Sequence, residues 1–169
     1  MFETGDAVFH PVRGAGIVSD IQERQWRGGD DLFYTIDLVG QPGTRLMIPA
    51  RTAEEVGLRH TISQAGLGRV WRVLRADPEA LPADHKARYE VLEEKLHAGS
   101  ALELAEAVRD MTWRREHQGR LTTRGKRMYD EGVTLLAGEI AAVQRIELME
   151  AEAQLRQRLK DSLASAAMA

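Results

Sequence analysis

The residues of this chain that could do chemistry are five histidines, a few adjacent acids, three tryptophans and one short basic run. Cysteine is absent, which excludes disulfides, thiolate nucleophiles and sulfur-ligated zinc or iron–sulfur centres together. His10, His60, His85, His97 and His117 are scattered, and no two have the i, i+4 spacing that would put both imidazoles on one metal. Gly14-Ala15-Gly16 begins like a dinucleotide loop. It lacks the third glycine, and a strand pattern follows where a helix N-terminus would have to face the phosphates. The serines have no strained elbow around them, and Asp30-Asp31 and Glu93-Glu94 sit in polar stretches that read as solvated charge. The expectation is a protein that is not an enzyme, with no metal and no cofactor.

Recognition elements are better represented. Trp71 falls on an apolar helical stripe, so burial accounts for it. Trp26 stands between Arg24 and Arg27 before Gly28-Gly29. An exposed aromatic beside guanidinium groups suits a protein interface, and ordinary turn packing is the other reading. Arg124-Gly125-Lys126-Arg127 lies at a helix start, either to meet phosphates or as a solvated basic turn.

These residues need two kinds of scaffold. Up to about Val56, short β-branched and aromatic runs at Ala7–His10, Gly16–Ile21, Leu32–Val39 and Arg45–Ile48 are separated by Gly14-Ala15-Gly16, Gly28-Gly29 and Gln41-Pro42-Gly43, which predicts a small SH3-like or Tudor-like β-barrel. From Thr61 the period becomes helical. Ser63 caps a helix carrying Leu67, Val70, Trp71 and Leu74; Asp84 caps a second with Tyr89, Leu92 and Leu96; Ser100 and Glu103 have capping-box spacing for a third with Leu104, Ala105, Val108 and Met111. Thr122 or Thr123 starts a long pattern running towards Leu163. It reads as one helix, with room for a bend near Gln144–Glu147. The fold class is therefore α+β in two domains, a β-barrel over residues 1–58 and an all-α bundle of about five helices over 59–169.

The 169 residues suffice for two small domains with real cores. No run is long and apolar enough to span a bilayer, and the first residues lack a signal pattern, so the expected location is the cytoplasm. Net charge is −3 overall, divided as −3 over residues 1–60, +1 over 61–125 and −1 over 126–169. With no strongly basic segment, counterion release gives little non-specific affinity for DNA, and a role on DNA would need a partner.

The order of motifs resembles the CarD family of bacterial transcription regulators over nearly the whole chain. Phe2-Glu3-Thr4-Gly5-Asp6, His10-Pro11 and Gly14-Ala15-Gly16 are similar to the family's opening strand and turn, and Met47-Ile48-Pro49 with Val56-Gly57-Leu58-Arg59 to its domain junction. Gly66-Leu67, Val70 and Val73-Leu74-Arg75-Ala76 resemble its first helix, and Arg88-Tyr89 with Glu94-Lys95-Leu96 its second. Ala105-Glu106, Val108-Arg109-Asp110 and Gly125-Lys126-Arg127-Met128 complete the series.

The resemblance implies a Tudor-like domain, shared with transcription-repair coupling factors, that pairs with the RNA polymerase β subunit by strand addition, and a helical domain that acts on promoter DNA and open-complex stability. It implies polymerase contacts at Arg24, Trp26, Arg45, Met47, Ile48 and Pro49, with Arg24 facing a partner carboxylate and Met47 offering an adaptable apolar contact. DNA contacts fall to His85, Lys86, Arg88, Lys126 and Arg127, at the minor groove and phosphates, and polymerase would hold the protein at the nucleoid. The sequence departs from the family at the start of the second helix. A tryptophan wedge is replaced by His85, and positions that are basic in relatives are Ala87 and Glu90. The expected function is a regulator of initiation with its polymerase contact kept and its DNA effect weakened or altered; the alternative is an adaptor that occupies the polymerase without touching DNA.

Overall fold

The computed structural model describes residues 1–168. Its elements run β1 (Ala7–His10), β2 (Gly14–Trp26), β3 (Gly29–Leu38), β4 (Arg45–Pro49), a short 3-10 turn (Ala50–Thr52), β5 (Arg59–His60), then α1 (Gln64–Arg75), α2 (His85–His97), α3 (Ala101–His117), α4 (Thr123–Gln144) and α5 (Leu148–Met168). The strands form one antiparallel sheet in the order β4-β3-β2-β1-β5, and the helices follow as a bundle, in agreement with the α+β reading.

The sheet's last strand, Arg59–His60, lies beyond the expected boundary at residue 58, because it still pairs with Val8 and Phe9 of β1. Gly14-Ala15-Gly16 is also not a turn. It opens β2, and the chain reverses at Pro11–Arg13, where His10 Nδ1 accepts from the amides of Val12 and Arg13, both at 3.1 Å. Gly16 has a packing reason instead: a Cβ there would stand 2.5 Å from Ile36 Cγ2 and 2.8 Å from the Asp37 carbonyl oxygen. At the far end β2 and β3 run longer than expected, up to a two-residue hairpin loop. Arg27 and Gly28 both take positive φ there, 50° and 85°, the geometry that matches the strands' right-handed twist.

The helix starts are those the capping residues predict. Ser63 accepts from the Gly66 amide at 3.0 Å, Asp84 from Ala87 at 3.0 Å, Ser100 from Glu103 at 3.4 Å and Thr122 from Gly125 at 3.0 Å. The long C-terminal pattern is two helices. Arg145 turns left-handed at φ 55°, its amide bonds the Ala141 carbonyl, and the amide of Ile146 bonds the same carbonyl at 3.1 Å, so α4 stops and α5 folds back on it.

Two apolar cores result. One lies inside the sheet, around Val8, Val18, Tyr34, Ile36, Leu38 and Ile48. The other fills the bundle with Leu74, Leu104, Val108, Leu136, Ile140 and Leu155, and reaches across to Phe9 and Ala15 of the sheet. Trp71 belongs to it as expected, with the Arg158 guanidinium 4.0 Å above its ring.

Where the cores meet, Arg59 of β5 and Glu139 of α4 form a two-point ion pair, Nη1 to Oε1 at 2.7 Å and Nη2 to Oε2 at 3.1 Å. Glu139 is fully buried and also accepts from the Ile62 amide at 2.9 Å. The Arg59 Nε donates to the Gly99 carbonyl, and its guanidinium lies 4.5 Å from the centre of the Phe9 ring. One buried carboxylate thus joins the last strand, the lead into α1 and the middle of α4, and its arginine adds the α2–α3 turn.

Two stability measurements follow. Glu139→Ala strands the Arg59 guanidinium and the Ile62 amide, and should cost about 3 kcal/mol in urea unfolding, as for breaking other buried pairs. Arg145→Gly should raise the thermal midpoint and Arg145→Val lower it, since a left-handed residue with a Cβ carries roughly 1 kcal/mol of strain and β-branching adds to it.

Candidate functional site

The residues proposed to meet a protein partner are gathered by strand register. In the β2–β3 and β3–β4 ladders Arg24 is opposite Asp31, Trp26 opposite Gly29, Phe33 opposite Pro49, Thr35 opposite Met47 and Asp37 opposite Arg45. Cross-strand partners and residues two apart share a face, so Arg24, Trp26, Arg45, Met47 and Pro49 all look out from the same side of the sheet. Ile48 does not. It is opposite Tyr34 on the inner face and only 5% exposed, so the expectation of a side-chain contact there is corrected: period 2 sends it into the core when Met47 points out.

That outer face carries apolar surface with cations around it. Trp26 is 48% exposed and packs edge-on to Phe33, with ring centres 5.9 Å apart, and Met47 is 40% exposed. Arg27 lies 5.9 Å from the Trp26 ring centre. Arg45 is paired to Asp37 at 3.1 Å and Arg51 to Asp31 at 3.0 Å. Arg24 donates to Gln22 Oε1 from Nε at 3.3 Å and Nη2 at 3.2 Å, so among the described residues a neutral amide, and no carboxylate, holds its charge. Beside this face β4 ends the sheet order and, among the described residues, pairs only with β3, so no described strand lies on its outer backbone edge. An extended segment bearing a carboxylate could pair with that edge and reach Arg24.

The second surface lies where α2 and α4 begin. The Tyr89 hydroxyl bonds the Thr122 hydroxyl, so the two helix starts are neighbours. His85 is exposed at the first position of α2, with its ring 6.4 Å from that of Tyr89, and Lys86 beside it is exposed. Lys126 and Arg127 are exposed on the first turns of α4, and Arg124 lies 4.6 Å over the Tyr89 ring while pairing with Glu93 at 3.3 Å.

Arg88 departs from its expected role. It is 9% exposed and its Nη1 donates to the carbonyls of Pro82 and Ala83 at 3.1 and 3.0 Å, so it holds the α1–α2 connection and cannot extend to a DNA surface with Lys86. Two residues along a helix from Lys86 a side chain has turned by about 200°, and here that side lines a cavity with Met111 and Arg114 of α3. Arg114 and Arg120, which line a cavity together with Arg88, were not singled out in the sequence; their only signal there was a basic density at the end of α3. Among the described residues no group of three or more potential ligands could hold a metal ion, and no helix is long and apolar enough to cross a membrane. The inward placement of Arg88 is checked by denaturant unfolding: Arg88→Ala should lose about 1–3 kcal/mol through unpaired carbonyls and lost packing, and Lys126→Ala or Arg127→Ala less than about 0.5 kcal/mol.

Comparison with known proteins covers both halves. Residues 2–62 match the model of the CarD-like/TRCF RID domain, and residues 69–156 match that of the CarD C-terminal domain. The chain is also 26% identical over 146 residues to the Bacillus subtilis (strain 168) protein named "Putative transcription factor YdeB", an alignment that covers 86% of this chain and 94% of that one. With one module of the family matched on the sheet and the other on the helices, the chain belongs to the CarD family, transcription regulators whose first module is an RNA polymerase-interacting domain.

Proposed function

We propose that the protein binds the RNA polymerase β subunit through the open β4 edge and the outer face of the sheet, and modulates the stability of the open promoter complex by bringing the starts of α2 and α4 to promoter DNA. The observation that carries this reading is the coincidence on one face of Arg24, Trp26 and Met47 with a strand edge that no other described strand covers. Main-chain pairing along β4 supplies affinity, Trp26 and Met47 supply apolar area, and Arg24 supplies charge selection. On the DNA side the exposure of Lys86, Lys126 and Arg127 supports phosphate contacts, and that of His85 at the first position of α2 supports a contact in the groove. With a net charge of −3 the chain binds DNA weakly alone, so the polymerase raises its local concentration there.

The adaptor reading has a specific observation in its favour. At the start of α2 the exposed ring is an imidazole, which is smaller than an indole, and Glu90 on the same helix is an exposed carboxylate that repels phosphate. The two readings part in one experiment. A purified fragment of the polymerase β subunit should bind the wild type, and Arg24→Glu or Met47→Glu should weaken that binding about tenfold or more; equal affinity for all three sinks the docking face. Open-complex lifetime is then measured with wild type and His85→Trp. A longer lifetime with the tryptophan supports a DNA role at this position, and an unchanged lifetime leaves the adaptor.

A further inference from the structure

A cavity of about 160 Å³ opens between the start of α2, the end of α3 and the start of α4. Arg88, Arg114 and Arg120 line it, together with the Tyr89 and Thr122 hydroxyls and an apolar floor that includes Met111. Arg88 spends Nη1 on the Pro82 and Ala83 carbonyls, and its Nε and Nη2 donate to no group among the described residues. Arg114 donates to the neutral Gln118 side chain. The carboxylate pairs in the described residues involve other arginines, so these three cations line one cavity without a counter-ion among the described residues.

Such an arrangement is unfavourable when empty of anions. Burial, and after it the charge of Arg88, pulls the Arg114 guanidinium below its ordinary pKa. Like charges that share a partly desolvated space repel one another, and an anion between them reverses the sign of the interaction. The first turn of α4 meets the same space at Thr122 and Gly125, so the positive end of a 22-residue helix adds to the field. Guanidinium groups present paired N–H donors that match the oxygens of a phosphate, and the one hydroxyl proton that the Tyr89–Thr122 bond leaves over can go to a third oxygen.

We propose that this cavity is a phosphate-binding pocket, with Arg88, Arg114 and Arg120 as its cations and the positive end of α4 beside them. The phosphate comes either from the backbone of nucleic acid lying across the α2 and α4 starts or from a small phosphorylated molecule. The first source rests on the DNA role proposed above; the second is independent of it. Either way Arg88 contributes from inside the fold, which gives its buried charge a purpose that a surface contact does not.

The test uses the full chain and inorganic pyrophosphate, with chloride at equal ionic strength as reference. Pyrophosphate should raise the thermal midpoint of the wild type and perturb amide signals of Thr122–Lys126, and Arg114→Gln/Arg120→Gln should abolish both effects while melting like the wild type in chloride. Arg120→Gln alone, at an exposed residue, is the second variant should the double one fold poorly, and it should weaken pyrophosphate binding several-fold. A forked DNA fragment then separates the sources: a salt slope reduced by about one in the double variant assigns the pocket to a backbone phosphate, and an unchanged slope assigns it to a small ligand. A wild type that does not respond to pyrophosphate, or variants that respond as it does, overturns the pocket. Failure to bind polymerase would sink the docking proposal and leave the pyrophosphate result standing.

Discussion

A single buried carboxylate governs how the two halves of this molecule are held. Glu139 is fully enclosed, and burying an unpaired charge there would be costly; the two-point contact with Arg59 and the Ile62 amide offset that cost. Because its partners come from β5, from the lead into α1 and, through Arg59, from the α2–α3 turn, satisfying one charge fixes four segments at once. Phe9 and Ala15 seal the same junction with apolar area. The polymerase-interacting module and the helices are thereby joined by directional bonds over a shared core.

That rigidity bears on function through distance. A protein with no excess of cations can gain DNA affinity only by being held next to DNA, and the gain depends on how narrowly the linkage limits the second site's position. A junction made of an ion pair and a packed ring sets the α2 and α4 starts at one position relative to the outer face of the sheet. The β4 edge proposed for docking and the helix starts proposed to face DNA therefore belong to one body.

The two candidate surfaces are built by different periodicities. On the sheet, period 2 sorts neighbours cleanly, so Met47 and Ile48 are adjacent in sequence and opposite in role. On α2 the rotation is about 100° per residue, which leaves His85 and Lys86 exposed and carries Arg88 round to α3. Basic residues close in sequence thus serve separate purposes: Lys86 is available to a partner, and Arg88 fastens the α1–α2 connection and charges the cavity behind it.

Local pattern was enough to mark the class of the longer elements and most of their starts, but not the two-residue β5, whose only signature is its pairing with β1. Alternation and turn residues marked the strands, and Ser63, Asp84, Ser100 and Thr122 marked helix starts because a side-chain oxygen satisfying a free amide is a local interaction. The motif order was enough to name the family. Tertiary structure decided what depends on contacts between distant residues. Gly14-Ala15-Gly16 looked like a turn because glycine signals both reversal and close approach, and only the neighbouring Ile36 and Asp37 show which applies. The stop at Arg145 falls in the stretch where a bend was expected, yet nothing local there requires a full break; α5 turns back because its apolar face, with Ala151, Leu155 and Leu159, is buried in the bundle. The pairing of Arg59 with Glu139, eighty residues apart, and the placing of Arg88, Arg114 and Arg120 around one cavity likewise leave no trace in spacing, since each is set by how helices and sheet pack and not by any neighbour along the chain.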